Sequence, residues 1–384
     1  MIYSGNIESK LPRVKTTIFT VMSALAKQHQ AINLSQGFPD FQVDKRLVEL
    51  VTQQMLFGKN QYAPMQGVYE LREAIALKTE EIYSATYDPD SEITVTAGAT
   101  QALFTAISAF VREGDEVIVI EPAYDCYVPA IELNGGIPKF VKLEDKTFQI
   151  KWEDVNKLIS QHTRAIIINT PHNPTASILS AADMQKLEKL LKGRDIIVIS
   201  DEVYEHIVFD GYEHQSVARY PEIAARSIIV SSFGKTYHTT GWKIGYVLAP
   251  SNLMAEFRKV HQYNVFSVNT PVQFAYAEWL KRKDLYIELG RFYQEKRDFF
   301  QKLLAGSRFE IYPSLGSYFQ VLGYDKITDE KDLDYAKRMT IEAGVAPIPL
   351  SVFYNNSYDP KALRFCFAKE NDTLEKAAEK LMKL

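Results

Sequence analysis

Seven short runs rich in aliphatic and β-branched residues, separated by helical patterns, constrain this chain more than any other feature. They fall at Glu92–Thr96, Glu116–Ile120, Lys139–Leu143, Ala165–Asn169, Ile196–Ser200, Ile228–Ser231 and Tyr246–Ala249. Runs so short and apolar suit strands covered on both faces. Between them, Thr100–Val111 places Ala102, Leu103, Ala106, Ile107, Phe110 and Val111 on one helical face, and Gly114-Asp115 ends it. Met184–Leu191 repeats the pattern before Gly193. The alternation predicts an α/β fold on a mostly parallel sheet. Beyond Pro271 the texture changes. A helix is expected over Val272–Leu304, a strand at Tyr318–Leu322, a helix at Asp332–Ala343, a strand at Leu363–Phe367 and a closing helix at Thr373–Leu384. That α+β pattern predicts a smaller second domain, and 384 residues exceed what one core ordinarily serves.

The ends of the runs carry chemistry. Ile196-Ile197-Val198-Ile199 delivers Asp201 and Tyr204, and Ile228-Ile229-Val230 delivers Ser232 and Lys235. A lone lysine is ordinarily a solvated surface charge. One that follows a buried strand and small residues can be desolvated, which lowers its pKa as Schiff-base chemistry requires. An acid at a strand end can equally cap a helix. Together, Lys235 and Asp201 meet the two chief needs of pyridoxal phosphate (PLP): an amine for its aldehyde and a carboxylate opposite its pyridine nitrogen. Tyr204 can place its hydroxyl on the cofactor's phenolic oxygen.

Other candidates sit at neighbouring strand ends, where open α/β sheets bind ligands. Gly98, Ala99 and Thr100 join a strand to a helix, so a phosphate can meet backbone N–H groups there. Ser232 adds a hydroxyl and Lys243 a cation. Tyr124, in Pro122-Ala123-Tyr124-Asp125-Cys126-Tyr127, is placed to stack on a flat heterocycle, although core packing accounts for it as well. Asn173 in Asn169-Thr170-Pro171-His172-Asn173-Pro174-Thr175 offers an amide, and His172 reads as a loop residue. Arg364, inside Leu363-Arg364-Phe365-Cys366-Phe367, is costly in an aromatic strand unless paired, and a carboxylate is its natural partner.

Composition excludes several classes. With 46% apolar residues, 24% charged residues and a net charge of -4, there is no basic field to invite nucleic acid or anionic lipid. No run approaches membrane-spanning length. Met1–Pro12 lacks a leader pattern. Cys126 and Cys366 are too far apart in sequence to suggest a disulfide framework or a metal cluster, and they suit a cytoplasmic protein with reduced thiols and no metal.

The set Asn173, Asp201, Tyr204, Ser232, Lys235, Lys243 and Arg364 resembles the fold-type-I, class-I PLP-dependent aminotransferases. The likeness runs from Asn33-Leu34-Ser35-Gln36-Gly37-Phe38-Pro39-Asp40 to Phe365-Cys366-Phe367 and includes Asn60-Gln61-Tyr62 and Gly67-Val68-Tyr69-Glu70-Leu71-Arg72. Ser232–Tyr237, Thr240–Tyr246 and Ile348–Tyr354 are similar to the branch of kynurenine aminotransferase and glutamine transaminase. Leu11-Pro12, Thr16–Thr20 and Met22–Ala26 look like its bacterial members that act on methionine.

The resemblance implies fold type I, with a large PLP-binding domain over 46–280 and a small domain from 1–45 and 281–384. It implies a homodimer with shared active sites, in which Tyr62 reaches the partner's phosphate. Lys235 would hold the cofactor and move the proton. Arg364, Asn173 and Gly37 would bind the substrate, with Phe19, Tyr263, Phe266 and Phe353 around its side chain. An amino group would pass by a ping-pong route from methionine, aromatic or other large neutral amino acids, glutamine among them, to an α-keto acid. Lys243 stands where many members have arginine, and Tyr124 where relatives have tryptophan or phenylalanine. Ser267 replaces a histidine of kynurenine-acting relatives, which counts against kynurenine as main substrate. A carbon–sulfur β-lyase acting on cysteine conjugates and a kynurenine aminotransferase are the alternatives.

Overall fold

The computed structural model describes residues 1–356 and 358–384. Its central sheet has seven strands: β1 (Ile93–Thr96), β2 (Glu116–Glu121), β3 (Ile137–Lys142), β4 (Thr163–Asn169), β5 (Ile197–Asp201), β6 (Ser227–Ser232) and β7 (Gly245–Leu248). They lie in the order β1-β7-β6-β5-β4-β2-β3. Strand β7 runs antiparallel to both neighbours, and the other pairs are parallel. All seven expected runs are therefore strands of one sheet, with ends displaced by a few residues.

Period-two alternation explains why both faces are covered. Val117, Val119, Ile167, Ile197 and Ile199 enter one apolar cluster, with the helix Ala99–Phe110. Ile118, Ile120, Ile166, Ile168 and Val198 enter the other. Successive side chains point to opposite faces, so uninterrupted aliphatic runs demand cover on both.

Register sets the working edge. Asn169 is opposite Asp201, and Asp201 is opposite Val230. Ser232 and Thr96 both pair with Gly245, the first residue of the reversed strand. The carboxyl ends of β1, β4, β5 and β6 thus meet the start of β7 along a single edge.

Above that edge lies a small antiparallel sheet. Its long strands are β8 (Phe319–Gly323) and β9 (Ala362–Cys366), flanked by Glu310–Ile311 and Ile348–Pro349. Arg364 pairs with Val321 on one side and Ile348 on the other. Ile32–Asn33 pairs with Val345–Ala346 and ties the N-terminal segment to this layer.

The expected single helix over Val272–Leu304 is divided into Thr270–Trp279, Asp284–Ile287 and Leu289–Leu303. The division has a packing reason. The first part lies on the helix Lys45–Leu56, and the last on the closing helix Asn371–Leu381. One straight rod cannot face both partners, so the chain turns at the cationic Lys281-Arg282-Lys283. The helix expected at Asp332–Ala343 is α-helical only to Arg338 and then widens over Met339–Ala343.

Gly245, the first residue of β7, is tightly packed at the large sheet's working edge. A Cβ there would lie 2.6 Å from Ser231 O, 3.1 Å from Gly98 C and 3.2 Å from Ala99 N, all backbone atoms. Gly245→Ala is expected to cost about 1–3 kcal/mol through overpacking. A lowered urea midpoint checks this, and an unchanged midpoint contradicts it.

Candidate active site

Lys235 follows β6 on the short helical turn Phe233–Thr236. Its amine donates to Gly37 O at 3.0 Å and to the Tyr318 hydroxyl at 2.9 Å. Burial, with the Arg364 and Lys243 cations nearby, lowers its pKa to about 8. The neutral amine, which is the nucleophile and the base, is therefore far better populated near neutral pH than in an ordinary lysine, although the ammonium still predominates there.

Asp201 ends β5 and is 3% exposed. Its carboxylate accepts from the Tyr127 hydroxyl at 2.6 Å and from Val203 N at 3.3 Å. Its carbonyl accepts from the Asn169 amide at 2.8 Å and from Thr170 N at 3.1 Å. Burial pushes the carboxyl up to about 6. The Tyr127 and Val203 bonds and the Lys235 charge oppose that rise. Side chain and backbone are both fixed, so the carboxylate presents a defined face.

One cavity is lined by Gly98, Ala99, Thr100, Tyr124, Asn173, Asp201, Tyr204, Ser232, Lys235 and Lys243. At one end the helix Ala99–Phe110 begins without a side-chain cap. Gly98 has φ 80, in the left-handed region that favours glycine, and a Cβ there would crowd the Lys243 amine at 3.2 Å. Uncapped N–H groups, a helix dipole and an amine make a seat for a phosphate. At the other end stands the Asp201 carboxylate. A phosphorylated pyridine fits this donor set: anion seat, aromatic Tyr124, a carboxylate for the ring nitrogen and an amine for the aldehyde.

Arg364 adjoins the cavity and is 1% exposed. Nη1 donates to Asn173 Oδ1 at 2.6 Å and Nη2 to Ser35 O at 2.7 Å. Nε finds no partner among the described residues. The guanidinium lies 4.0 Å from the Phe319 ring centre, 5.3 Å from Phe19 and 5.5 Å from Phe353. A buried cation with an unspent donor among aromatic rings is suited to a small carboxylate on an apolar molecule.

The structure thus brings Lys235, Asp201, Tyr204, Asn173, Ser232, Lys243, Tyr124, Gly98, Ala99 and Thr100 to one cavity. Gly37, Phe19, Phe353 and Arg364 lie beside it. Tyr62, Tyr263 and Phe266 are not brought to the cavity of their own chain; they are 81%, 87% and 55% exposed. His172 is a buried loop residue bonded to Thr175 Oγ1 at 2.7 Å, and burial lowers its pKa to about 3, so it stays neutral.

Sequence reasoning passed over Tyr127, Tyr318, Phe319 and Asn169. The helical turn starting at Tyr127 directs its hydroxyl to Asp201, 74 positions away. Its one local signal is a spacing of three from Tyr124, which places both on one side of a helical turn. Tyr318 gives no local signal, since its partners are Gly37 and Lys235.

A model of the family "Aminotransferase class I and II" matches residues 29–381. The chain is 52% identical over 378 residues to methionine aminotransferase of Escherichia coli (strain K12), with 98% of each chain covered. It is 33% identical over 394 residues to kynurenine–oxoglutarate transaminase 1 of Homo sapiens, covering 94% of this chain and 93% of that one. The crystal structure of YbdL from Escherichia coli, identified as having a methionine aminotransferase function, matches with a TM-score of 0.97 at 52% identity, covering 99% of this chain and 100% of that one.

In cofactor-free protein, an amine-directed reagent should label Lys235 at a rate that rises with pH and levels off above about 8, because only the neutral amine reacts. Peptide mapping across a pH series measures this. A midpoint near 10.5, the ordinary lysine value, would contradict the burial argument.

Proposed function

Because the chain belongs to the class I and II aminotransferases, whose cofactor is PLP, we propose that it moves the amino group of methionine, and of aromatic and other large neutral amino acids, to an α-keto acid by a ping-pong route. The observation that carries the reading is the Arg364 site: one buried cation whose Nε has no partner among the described residues, ringed by Phe19, Phe319 and Phe353. It offers charge for an α-carboxylate and apolar surface for the rest. The 52% identity to a methionine aminotransferase, against 33% to a kynurenine transaminase, supports methionine as the favoured donor.

When bound, PLP draws electrons from the substrate α-carbon and carries the amino group from donor to acceptor. In this reading Gly98, Ala99, Thr100, Ser232 and Lys243 hold its phosphate, Tyr124 lies against its ring, and Tyr204 meets its phenolic oxygen. Asp201, steadied by Tyr127, keeps the pyridine nitrogen protonated. Arg364 and Asn173 bind the α-carboxylate. Because Asn173 Oδ1 already accepts from Arg364, its Nδ2 is the group left to donate. Lys235 would take the α-proton and pass it to the carbon that receives the transferred nitrogen, as general base and then acid.

Tyr62, Tyr263 and Phe266 enter the reading as an interface. Tyr62 and Phe266 pack edge to face at 5.3 Å on an exposed surface. Such aromatic surface suits a C2 contact with a second copy, through which Tyr62 would reach the partner's phosphate. Residues 46–280 would then form the cofactor domain, with 1–45 and 281–384 as the smaller one. A cytoplasmic setting agrees with the unpaired thiols of Cys126 and Cys366.

Turnover with a keto-acid acceptor should be faster with methionine than with aspartate, and Lys235→Ala should abolish it while leaving a folded protein. Rates with aspartate equal to those with methionine would overturn the substrate assignment. Mixing Tyr62→Phe and Arg364→Lys chains should recover activity above either variant alone, since one heterodimer site would hold both native residues. No recovery on mixing would argue against shared sites.

A further inference from the structure

We propose that Tyr318 is a positioning residue for proton transfer: with Gly37 O it holds both N–H bonds of neutral Lys235, so that the amine's lone pair has one direction. The inference rests on Lys235 being the proton carrier and adds a residue to that reading.

Three atoms form a closed triangle. Lys235 Nζ donates to Gly37 O at 3.0 Å and to the Tyr318 hydroxyl oxygen at 2.9 Å. The Tyr318 hydroxyl donates to Gly37 O at 2.5 Å. A tyrosine has one hydroxyl proton, and here it is spent on Gly37, so toward Lys235 the oxygen can only accept. A neutral amine has two N–H bonds, and two oxygen acceptors stand ready for them. The remaining tetrahedral direction belongs to the lone pair. The acceptors are uncharged, so they orient the amine without the ion pairing that would hold it as an ammonium.

Tyr318 is built to keep its place. It is fully buried, and its ring packs against Tyr204 at 5.1 Å, Phe319 at 5.0 Å and Tyr293 at 5.5 Å. Its carbonyl accepts from Phe367 N at 3.1 Å. The residue before it, Ser317, is held at φ 59 with its N–H on Ile207 O at 2.9 Å. A serine in that region is strained, and the surroundings must over-determine it.

The transfer balances simply. The substrate Cα–H bond breaks, its electron pair stays with the substrate and its cofactor, and the proton becomes the third N–H bond of Lys235. Within the same half-reaction Nζ releases this proton to the carbon that then carries the transferred nitrogen, and the two-bonded neutral amine is restored. An amine free to rotate would present its lone pair to the α-carbon only part of the time, and misplacement of a reacting group by about 1 Å can cost about 100-fold.

The test compares Tyr318→Phe with Tyr293→Phe, which loses a hydroxyl one ring further out that has no partner among the described residues. With methionine and its α-deuterated form, Tyr318→Phe should lower kcat about 10- to 100-fold, leave KM near wild type and enlarge the deuterium isotope effect. In cofactor-free protein the midpoint of Lys235 labelling should move below that of wild type, because the ammonium loses an acceptor. Tyr293→Phe should change none of these. The proposal is overturned if Tyr318→Phe keeps the wild-type isotope effect and labelling midpoint, or if Tyr293→Phe reproduces its losses. Wild-type protein with no transamination would instead remove the underlying reading, a result distinct from a failure confined to the variant.

Discussion

The parallel register of β4, β5 and β6 is the constraint on which the rest depends. It puts Asn169 beside Asp201 and Asp201 beside Val230, the residue two before Ser232. From there a single helical turn brings Lys235 back over the edge. A slip of one residue in β5 would turn Asp201 to the opposite face, away from Tyr127 and the helix Ala99–Phe110. The aliphatic residues enforce the register, because the same slip would exchange which apolar side chains meet each covering layer.

Burying so much charge near one edge needs local compensation. Asp201, Glu202 and Glu205 lie within five positions, and all are buried. Each is sent to a separate set of partners. Glu202 accepts from Ser200 Oγ at 2.8 Å and Val217 N at 2.9 Å, and its other oxygen lies 2.9 Å from His214 Nε2. Glu205 meets Lys78 Nζ at 2.8 Å, Tyr83 at 2.6 Å and Tyr246 at 2.7 Å. Burial works to raise the Glu205 carboxyl, but the charges of Lys78 and His206 and the hydrogen bonds from Lys78 and Tyr246 together hold the group well below its usual range. Among the described residues Asp201 has no such cation at salt-bridge distance. Burial therefore raises its carboxyl to about 6, where its charge responds to what is placed opposite it.

What the sequence made legible follows from distance along the chain. The seven strands were readable because apolar runs and the polar residues that end them are local. Asp201, Lys235, Gly98 and Asn173 were readable as interruptions at those ends. Arg364 was readable because a guanidinium between Leu363 and Phe365 conflicts with its own strand. Tyr127 and Tyr318 were not, since one of 22 tyrosines gains meaning only from the partner of its hydroxyl. Those partners lie 74 and 83 positions away. The break after Trp279 was hidden for a related reason: apolar residues resume at Leu285 beyond the charged Lys281-Arg282-Lys283-Asp284, and the helices packed on either side require the turn.

The two layers divide the chemistry. The large sheet's edge supplies Asp201, Ser232 and Lys235, with Lys243 just before β7, so the groups that suit the cofactor share one rigid frame. The upper layer supplies Arg364 from β9, Tyr318 at the foot of β8 and Gly37 from the N-terminal segment. Arg364 Nη1 reaches down to Asn173 of the lower layer, and Tyr318 reaches down to Lys235. The first link joins two groups that would hold a carboxylate, and the second fixes the amine that would carry the proton. In the proposed reading, a carboxylate held by Arg364 would be felt at Asn173, and a shift of the upper layer would be felt at the lysine amine. Phe19, Phe319 and Phe353, which ring Arg364, stand on the same side, so in the proposed reading side-chain selectivity would rest there too. The two layers are joined at the site by these two hydrogen bonds.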